Sequence, residues 1–272
     1  MLPATAAFVC NTYAYTLSHT VEDCLVRMGE AGFREFEVMM VPGHLWPPDI
    51  DAARRRRLHH LARNGRRIAT LNMPNIDMNI AGIAPEMRHY TLELLAGIVN
   101  LAGELGAAGV VIGPGKANPL FPALRERLLG YFFTALDRLR PIAEKAGTAL
   151  WVENMPFAFL PDIAGLMQAL ERYGADDVGI VYDAANGHFI GEDIAEALRV
   201  CRPRLRLVHL SDTDRKTYAH APVGQGTVPF ETIPAVLREI GHTRRPVLEI
   251  ISANPDCDIP GSAATLVQAG FG

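Results

Sequence analysis

The chain has 272 residues, of which 49% are hydrophobic and 21% are charged, a balance typical of globular proteins. This composition excludes disorder, collagen and coiled coil as descriptions of the whole chain. The 26 Lys and Arg residues are outnumbered by 30 Asp and Glu residues, which leaves a net charge of −4. A mildly acidic chain disfavours a nucleic-acid binder, because such proteins usually carry a strong basic excess.

The sequence shows no feature that favours a membrane or an exported location. No apolar run approaches the roughly 18 residues that a membrane-spanning helix needs. The first ten residues have no basic segment and are too short for a secretory signal peptide. Four cysteines form no CxxC pair, and we interpret them as reduced, mostly structural thiols. They are Cys10, Cys24, Cys201 and Cys257. We therefore expect a cytoplasmic protein.

Short apolar runs recur along the chain, and each is typical of a strand that is buried on both faces. They comprise residues 6–11, 35–40, 67–72, 109–113, 149–153, 179–183, 205–210 and 246–251. Between them lie stretches whose apolar residues repeat with the period of a helix. The clearest are residues 21–31, 85–105, 122–146, 161–173, 194–201 and 230–240. The pattern predicts a succession of strand-then-helix units.

Eight such units predict an α/β protein whose strands close into a (β/α)₈ TIM barrel. The rival is a doubly wound open sheet, which needs a glycine-rich turn after its first strand. Residues 11–18 contain no glycine, and no low-complexity linker divides the chain. We therefore predict one barrel domain over residues 1–272. In such a barrel the active site lies at the C-terminal ends of the strands, so the residues there are the functional candidates.

Four consecutive strands, the fifth to the eighth, end in residues that can bind a metal ion. In chain order they are Glu153, Asp183, His209 and Glu249. A buried carboxylate without a partner is costly, so three that converge on one barrel mouth need a cation. Three carboxylates and one imidazole suit one divalent ion, with Mn²⁺ first and Mg²⁺, Co²⁺ or Zn²⁺ as alternatives. The other interpretation is that each residue pairs separately with a basic group or the backbone.

Five short segments resemble a known family in their order and spacing. They are residues 152–156 (VENMP), 182–188 (YDAANGH), 208–212 (VHLSD), 223–226 (VGQG) and 248–250 (LEI). Together they resemble the xylose-isomerase-like TIM barrels. That superfamily includes sugar isomerases and 3-epimerases, hydroxypyruvate isomerase, inosose and 3-dehydroshikimate dehydratases, and endonuclease IV. The resemblance covers nearly the whole chain, and it implies the fold without singling out one activity.

The resemblance also implies roles for the strand-end residues. In the epimerase branch, a Glu–Asp–His–Glu set holds one divalent metal, and the matching positions are the four residues named above. Glu153 and Glu249 are then also the acid/base pair, on opposite faces of the substrate. One carboxylate removes a proton beside a metal-polarised carbonyl, the metal stabilises the enediolate, and the other returns a proton. Epimerisation, isomerisation and loss of water share this first step.

Three residues near the sixth and seventh strands are candidates for substrate contacts. Arg215 lies six residues after His209, a spacing that resembles the epimerases, although the arginine could instead pair with a neighbouring aspartate. Many family members have a histidine three residues after the metal-binding aspartate, and here that position is Asn186. Either Asn186 contacts the substrate or His188, two residues further, reaches in from a slightly different loop.

Four further residues complete the substrate-binding candidates. Glu37 ends the second strand and could orient a substrate hydroxyl or a metal ligand, or it could simply be a strand-end carboxylate satisfied by its neighbours. Trp46, in the loop that follows, could pack against a sugar or cyclitol ring, or simply anchor the loop. Lys116, in a Gly-Pro-Gly-Lys segment after the fourth strand, could seat a carboxylate or phosphate, or the segment could be a plain tight turn. His220 lies in a loop over the site.

We expect a divalent-metal-dependent isomerase or epimerase that acts on a small polyhydroxylated carbonyl compound, with Arg215 in support. The substrate would be a sugar, a keto acid or a cyclitol. The alternative is a dehydratase of the inosose or 3-dehydroshikimate type. Residues 153–156 look closer to that branch, and Phe159 stands where epimerases of free ketoses tend to carry a second glutamate. A barrel that only binds a sugar is a third interpretation, which the presence of both Glu153 and Glu249 disfavours.

The resemblance to endonuclease IV does not extend to its extra zinc ligands. Tyr218 replaces an aspartate of that enzyme, and residues 71–75 and 112–116 contain none of the additional histidines. We therefore expect no nucleic-acid partner and no membrane partner. Association with further copies of the same chain remains open.

Overall fold

Eight parallel strands form a closed barrel in this computed structural model, which describes residues 3–73 and 77–272. Neighbours along the chain pair with each other, and the first strand pairs with the eighth. The predicted (β/α)₈ barrel is therefore confirmed. Pro74 and Asn75, within the segment 71–75 discussed above, lie outside the described residues. The strands are β1 (Val9–Asn11), β2 (Glu35–Met39), β3 (Arg67–Asn72), β4 (Gly109–Ile112), β5 (Leu150–Glu153), β6 (Gly179–Asp183), β7 (Leu205–Leu210) and β8 (Val247–Leu248).

Helices alternate with the strands, and several start at a side chain that caps them. The carboxylates of Asp51 and Asp162 accept hydrogen bonds from backbone N–H groups in the first turns of the helices that begin at Ala52 and Ile163. Gly147, with φ of 74°, ends the helix Arg125–Ala146 in the left-handed conformation that glycine adopts without strain. Across the described residues the helices are α1 (Val21–Glu30), α2 (Ala52–Arg63), α3 (Pro85–Leu105), α4 (Arg125–Ala146), α5 (Ile163–Tyr173), α6 (Ala184–Ile190), α7 (Ile194–Cys201), α8 (Ile233–Glu239) and α9 (Pro255–Gln268).

The first and last strands are shorter than their apolar runs predict. The run at residues 6–11 predicts a strand from residue 6, but Ala4–Ala7 form a 3₁₀ helix and β1 begins at Val9. Of the run at residues 246–251, only the two residues of β8 form a strand. Phe8 and Ile250 are fully buried although neither belongs to a strand. A run of apolar residues indicates which residues are buried, and here the buried residues extend beyond those that form strand hydrogen bonds.

A tryptophan fills the N-terminal end of the barrel. Trp151 on β5 is buried in a cluster with Val9, Val111, Val181, Leu207 and Val247. Gly109 on β4 and Gly179 on β6 make room for it, since a Cβ at either position would lie 2.6 Å or 2.7 Å from the indole ring. This packed layer occupies one end of the barrel, so the predicted site residues project from the other end.

No helix in the described part of the chain is both long and apolar enough to cross a bilayer. Cys10, Cys24 and Cys201 are buried, whereas Cys257 is exposed. Burial raises the pKa of the three buried thiols, which favours their packing role over reactivity.

Candidate active site

The four predicted metal ligands converge at the C-terminal end of the barrel. Glu153 ends β5, Asp183 ends β6, His209 lies near the end of β7, and Glu249 directly follows β8. All four are buried, and one potential ligand atom from each lies within 4.8 Å of those of the other three. The ends of parallel strands in a closed barrel point to one common centre, so neighbouring strands bring together residues that are far apart in the sequence.

The imidazole of His209 stands at the centre of this cluster. Its Nδ1 lies 3.0 Å from Glu153 Oε1, 3.1 Å from Glu249 Oε2 and 3.8 Å from Asp183 Oδ2. Burial by itself would lower the pKa of His209, but the charges of Glu37, Glu249 and Glu153 outweigh it and raise that pKa well above its usual value. Nδ1 is the nitrogen of His209 that faces the three carboxylates of the cluster.

Glu37 lies in the middle of β2 and not at its end as predicted, so it is beneath His209 rather than at the mouth. Its carboxylate is fully buried and accepts hydrogen bonds from Asn11 Nδ2 (2.7 Å), Asn72 Nδ2 (3.1 Å) and Thr70 Oγ1 (2.8 Å). His209 Nε2 lies 3.1 Å from Glu37 Oε1, which brings the imidazole and the carboxylate into direct contact. Of the interpretations given for Glu37, this position agrees with a satisfied carboxylate that can orient a neighbouring ligand, and it does not support contact with a substrate.

The charge and hydrogen bonds around Glu37 keep it ionised. Burial alone would raise the pKa of its carboxyl, but the charge of His209 and the hydrogen bonds from Asn72 and Thr70 hold that pKa below its usual range. An anion is thus maintained next to Nε2 of the imidazole. Such a partner on the far nitrogen fixes the orientation of a metal-binding histidine.

Asp183 is held rigidly by its neighbours, yet it presents one oxygen without a partner. Its backbone N–H donates to Asn154 Oδ1 (2.7 Å), and its Oδ1 accepts from the N–H of Asn186 (2.6 Å). Its Oδ2 is buried and has no hydrogen-bond partner among the described residues. Burial, with the nearby charge of Glu249, raises the pKa of Asp183 to about 6. A buried acceptor of this kind, facing three other potential ligands, suits a cation.

A cavity of about 290 Å³ opens directly above the cluster. Both proposed acid/base residues, Glu153 and Glu249, border it. Of the predicted substrate contacts, Lys116, Asn186 and His220 line it as well. Lys116 is half-buried, and burial lowers its pKa. Two carboxylates and the side chains of Lys116, Asn186 and His220 therefore border one space of a size suited to a small molecule.

Asn186 and His188, the alternative substrate contacts after β6, lie in different surroundings. Asn186 borders the cavity, where its Nδ2 donates to the carbonyl of Asn154 (2.8 Å) and its Oδ1 accepts from Tyr218 (2.6 Å). His188 does not border it, and its Nε2 lies 2.8 Å from the hydroxyl of Thr227. Asn186 is therefore the better placed of the two to contact a substrate.

Two other predicted contacts do not reach this cavity. Arg215 is exposed. The pKa of His188 is lowered first by burial and next by the charge of Arg215, so the arginine lies near that histidine. Trp46 is half-buried and packs against the core, as expected of a loop anchor. Neither residue borders the cavity over the carboxylates, so their placement gives no support to a substrate contact.

His220 belongs to a hydrogen-bonded group at the edge of the cluster. Its Nδ1 lies 2.9 Å from Ser211 Oγ, and its Nε2 lies 2.9 Å from the hydroxyl of Tyr218. Nδ1 is also 3.6 Å from Glu249 Oε2, just outside hydrogen-bonding distance. In this chain Tyr218, which replaces the aspartate of endonuclease IV, binds the histidine as a hydrogen-bonding partner.

Several polar residues of the site were not among the sequence candidates. Asn11 ends β1 and donates to both Glu37 and, at 3.3 Å, Glu249. Asn72 ends β3 and supports the same glutamate. Both are polar residues that close an apolar run, the same signal that identifies Glu153, and a search for every such strand end would have found them. Tyr218 lies in a loop without such a signal.

Comparison with known proteins reveals distant relatives. Two uncharacterised proteins of Methanocaldococcus jannaschii are each 24% identical to the chain, over 179 and 176 residues. The matches span 63% of this chain but only 60% and 66% of those proteins. A fructoselysine 3-epimerase of Shigella flexneri is 21% identical over 265 residues, which is 91% of this chain and 90% of the enzyme.

Solved structures share the fold over almost the whole chain. A D-tagatose 3-epimerase-like protein has a TM-score of 0.82 at 21% identity, covering 96% of this chain and 95% of that protein. The IolI protein, solved with a bound zinc atom, has a TM-score of 0.78 at 18% identity and 96% coverage of both chains. The family model for xylose isomerase-like TIM barrels matches residues 26–269. The chain therefore belongs to the xylose isomerase-like TIM barrel family.

Proposed function

We propose that this protein is a divalent-metal-dependent isomerase or epimerase of a small polyhydroxylated carbonyl compound. The observation that carries the proposal is the convergence of three buried carboxylates and one imidazole beneath a cavity. Such a concentration of like charge is costly without a cation, because each carboxylate raises the energy of ionising the next. A purely structural role would not require an opening above the cluster.

The donor set fits one divalent ion held by Glu153, Asp183, His209 and Glu249. The unpartnered oxygen of Asp183 and the inward-facing Nδ1 of His209 are the atoms that an ion would satisfy. Three oxygens and one nitrogen favour Mn²⁺ first, with Mg²⁺, Co²⁺ and Zn²⁺ as alternatives. When bound, the ion would supply polarisation of a substrate carbonyl and of the hydroxyl beside it.

Glu153 and Glu249 are suited to proton transfer on two sides of a substrate. They come from β5 and from the residue after β8, with two strands between them, and both border the cavity. Burial raises the pKa of Glu153, which makes it a better proton acceptor than an exposed glutamate. One carboxylate would take the proton on the carbon beside the carbonyl, and the other would deliver one to the opposite face. Asn186, Lys116 and His220 would hold substrate oxygens.

A dehydratase is the second candidate, because it begins with the same proton removal. Phe159 favours it, since this ring packs 6.4 Å from that of Phe132 in the core and offers no second carboxylate beyond Glu153. The two activities differ in the fate of the neighbouring hydroxyl. A dehydratase product is lighter by one water, and an isomerase product has the same mass as its substrate.

Incubation of the metal-loaded protein with candidate substrates in D₂O tests both. The panel comprises ketohexoses, hydroxypyruvate, inosose and 3-dehydroshikimate, with mass spectrometry as the readout. Incorporation of deuterium without water loss supports an isomerase or epimerase, and water loss supports the dehydratase. Asp183→Asn should abolish tight Mn²⁺ binding in calorimetry, whereas Asp177→Asn, which removes an exposed carboxylate paired with Arg140, should not. Absence of both Mn²⁺ binding and deuterium exchange would refute the proposal.

A further inference from the structure

The cavity above the carboxylate cluster has two chemically different parts. Its polar part includes the acid/base pair together with Asn72, Lys116, Asn186 and His220, and we call it the floor. Its outer side is made largely of carbon. We call this side the apolar wall, and define it as Met155, Pro156, Phe157, Ala158, Tyr218 and Ile251. Four of these six residues are consecutive in the loop between β5 and α5.

Phe157 is an unusual residue to find at the mouth of a polar site. Its side chain remains 64% exposed, although it contacts two other rings. The ring centroids of Phe157 and Tyr218 lie 5.4 Å apart in an edge-to-face arrangement, and Phe189 lies 6.2 Å from Phe157 and 5.1 Å from Tyr218. The rings support one another, so the exposed face of Phe157 is held in place at the cavity.

Tyr218 adds to the apolar character because its hydroxyl is already engaged. The hydroxyl donates to Asn186 Oδ1 at 2.6 Å and lies 2.9 Å from His220 Nε2. Both partners belong to the floor, so the polar end of the tyrosine is directed downward. The phenyl ring is the part of Tyr218 that packs with the other aromatic rings of the wall.

This division constrains the chemistry of a ligand. A free sugar carries a hydroxyl on almost every carbon, and hydroxyls placed against the apolar wall would lose water without gaining hydrogen-bond partners. An apolar group in the same place would bury its own surface and that of Phe157, which is favourable. The floor therefore suits a polyhydroxylated carbonyl head, and the wall suits a hydrocarbon attached to it.

We propose that the substrate is a polyhydroxylated carbonyl compound that carries an apolar or aromatic substituent away from its reacting carbon, and that Phe157 in the apolar wall binds this substituent. The proposal rests on the function proposed above, since the head group is placed by the acid/base pair and the metal ligands. It adds that a free sugar is not the preferred ligand. Phe157 thereby becomes a residue that determines specificity and takes no part in proton transfer.

The test compares four 2-ketohexoses, D-fructose, D-psicose, D-tagatose and D-sorbose, each with its 6-O-benzyl derivative. Binding to the Mn²⁺-loaded full-length protein is measured by calorimetry, which does not depend on turnover. For at least one pair, the benzyl derivative should bind at least tenfold more tightly than the free sugar. Phe157→Ser should remove most of that preference.

Phe121→Ser is the matched control. Phe121 is 86% exposed in the preceding mouth loop and does not border the cavity, so its loss should leave the preference intact. Neither exposed ring belongs to the core, and unchanged melting temperatures verify that both variants fold. The proposal is overturned if no benzyl derivative outperforms its parent sugar, or if the preference survives Phe157→Ser.

Deuterium exchange in D₂O, measured on the same compounds, separates this inference from the proposed function. A benzyl preference that depends on Phe157, without any exchange, would support the apolar subsite and count against the isomerase or epimerase. Exchange into free sugars at an efficiency equal to that of the benzyl derivatives, without a binding preference, would support the enzyme and overturn the subsite.

Discussion

Substitution of Glu37 by glutamine should weaken metal binding without disturbing the fold. Glu37 contacts no predicted ligand other than His209, whose Nε2 lies 3.1 Å away. A glutamine has the same shape, and its carbonyl oxygen can still accept the hydrogen bonds from Asn11 and Asn72. Its amide can donate to the hydroxyl of Thr70, which can accept as well as donate. Glu37→Gln therefore removes the negative charge beneath the imidazole and little else.

The expected size of the effect follows from that geometry. The charge on Glu37 orients the ring and increases the basicity of Nδ1, the nitrogen that faces Glu153 at 3.0 Å and Glu249 at 3.1 Å. Loss of such a supporting partner typically costs about 10- to 100-fold in metal affinity. This corresponds to about 1.4–2.8 kcal/mol of binding free energy, since each factor of ten is about 1.4 kcal/mol.

Calorimetric titration of the metal-free protein with Mn²⁺ measures this change directly. Glu35→Gln is the matched control, because Glu35 is on the same strand but at the other end of the barrel, where it pairs with Arg67 and Arg245. Its loss should change the Mn²⁺ affinity by less than twofold. If Glu37→Gln binds Mn²⁺ as tightly as the unmodified protein, the assignment of His209 as a ligand oriented by Glu37 is wrong.

The acid/base pair, the packed end of the barrel and a half-buried carboxyl allow further tests. Glu153→Gln should slow deuterium incorporation by about 10²–10⁴-fold at saturating metal, because it removes a carboxylate that borders the cavity. In chemical unfolding, Gly109→Ala should cost about 1–3 kcal/mol, since its Cβ would lie 2.6 Å from an indole ring. Gly130→Ala, in open space within α4, should instead add about 0.5–1 kcal/mol. Burial raises the pKa of Glu192 from 4.5 to about 7, so the folded state binds its proton more tightly than the unfolded state. Stability should therefore fall as the pH rises through that interval, and Glu192→Gln should flatten the fall.

Specific results would contradict each of these expectations. Exchange at the unmodified rate in Glu153→Gln would remove this glutamate from proton transfer. Equal unfolding free energies for the two glycine variants would mean that the close approach of backbone and indole imposes no constraint. A pH profile that is identical with and without the Glu192 carboxyl would show that its pKa is the same in the folded and unfolded states.

The closed barrel and the convergence of its four strand-end residues could be predicted from the sequence because both depend on local patterns. Apolar runs separated by helical stretches define the strands, and a closed parallel barrel brings their C-terminal ends to one place. The last polar residue of each strand is therefore positioned by topology alone. This is why Glu153, Asp183, His209 and Glu249 meet, although 96 residues separate the first from the last. The extent of β1 and β8 was less predictable, because buried apolar residues continue beyond the ends of these strands.

The tertiary structure alone decided how the remaining side chains are directed. Asn186 and His188 are two residues apart on α6, which begins immediately after Asp183, so their side chains point about 200° apart around the helix. One therefore borders the cavity and the other does not. Loop paths likewise leave Arg215 exposed and direct Phe157 toward the cavity. Sequence periodicity specifies which face of a regular element is buried, but a loop has no period, so its contacts arise only when distant segments pack together.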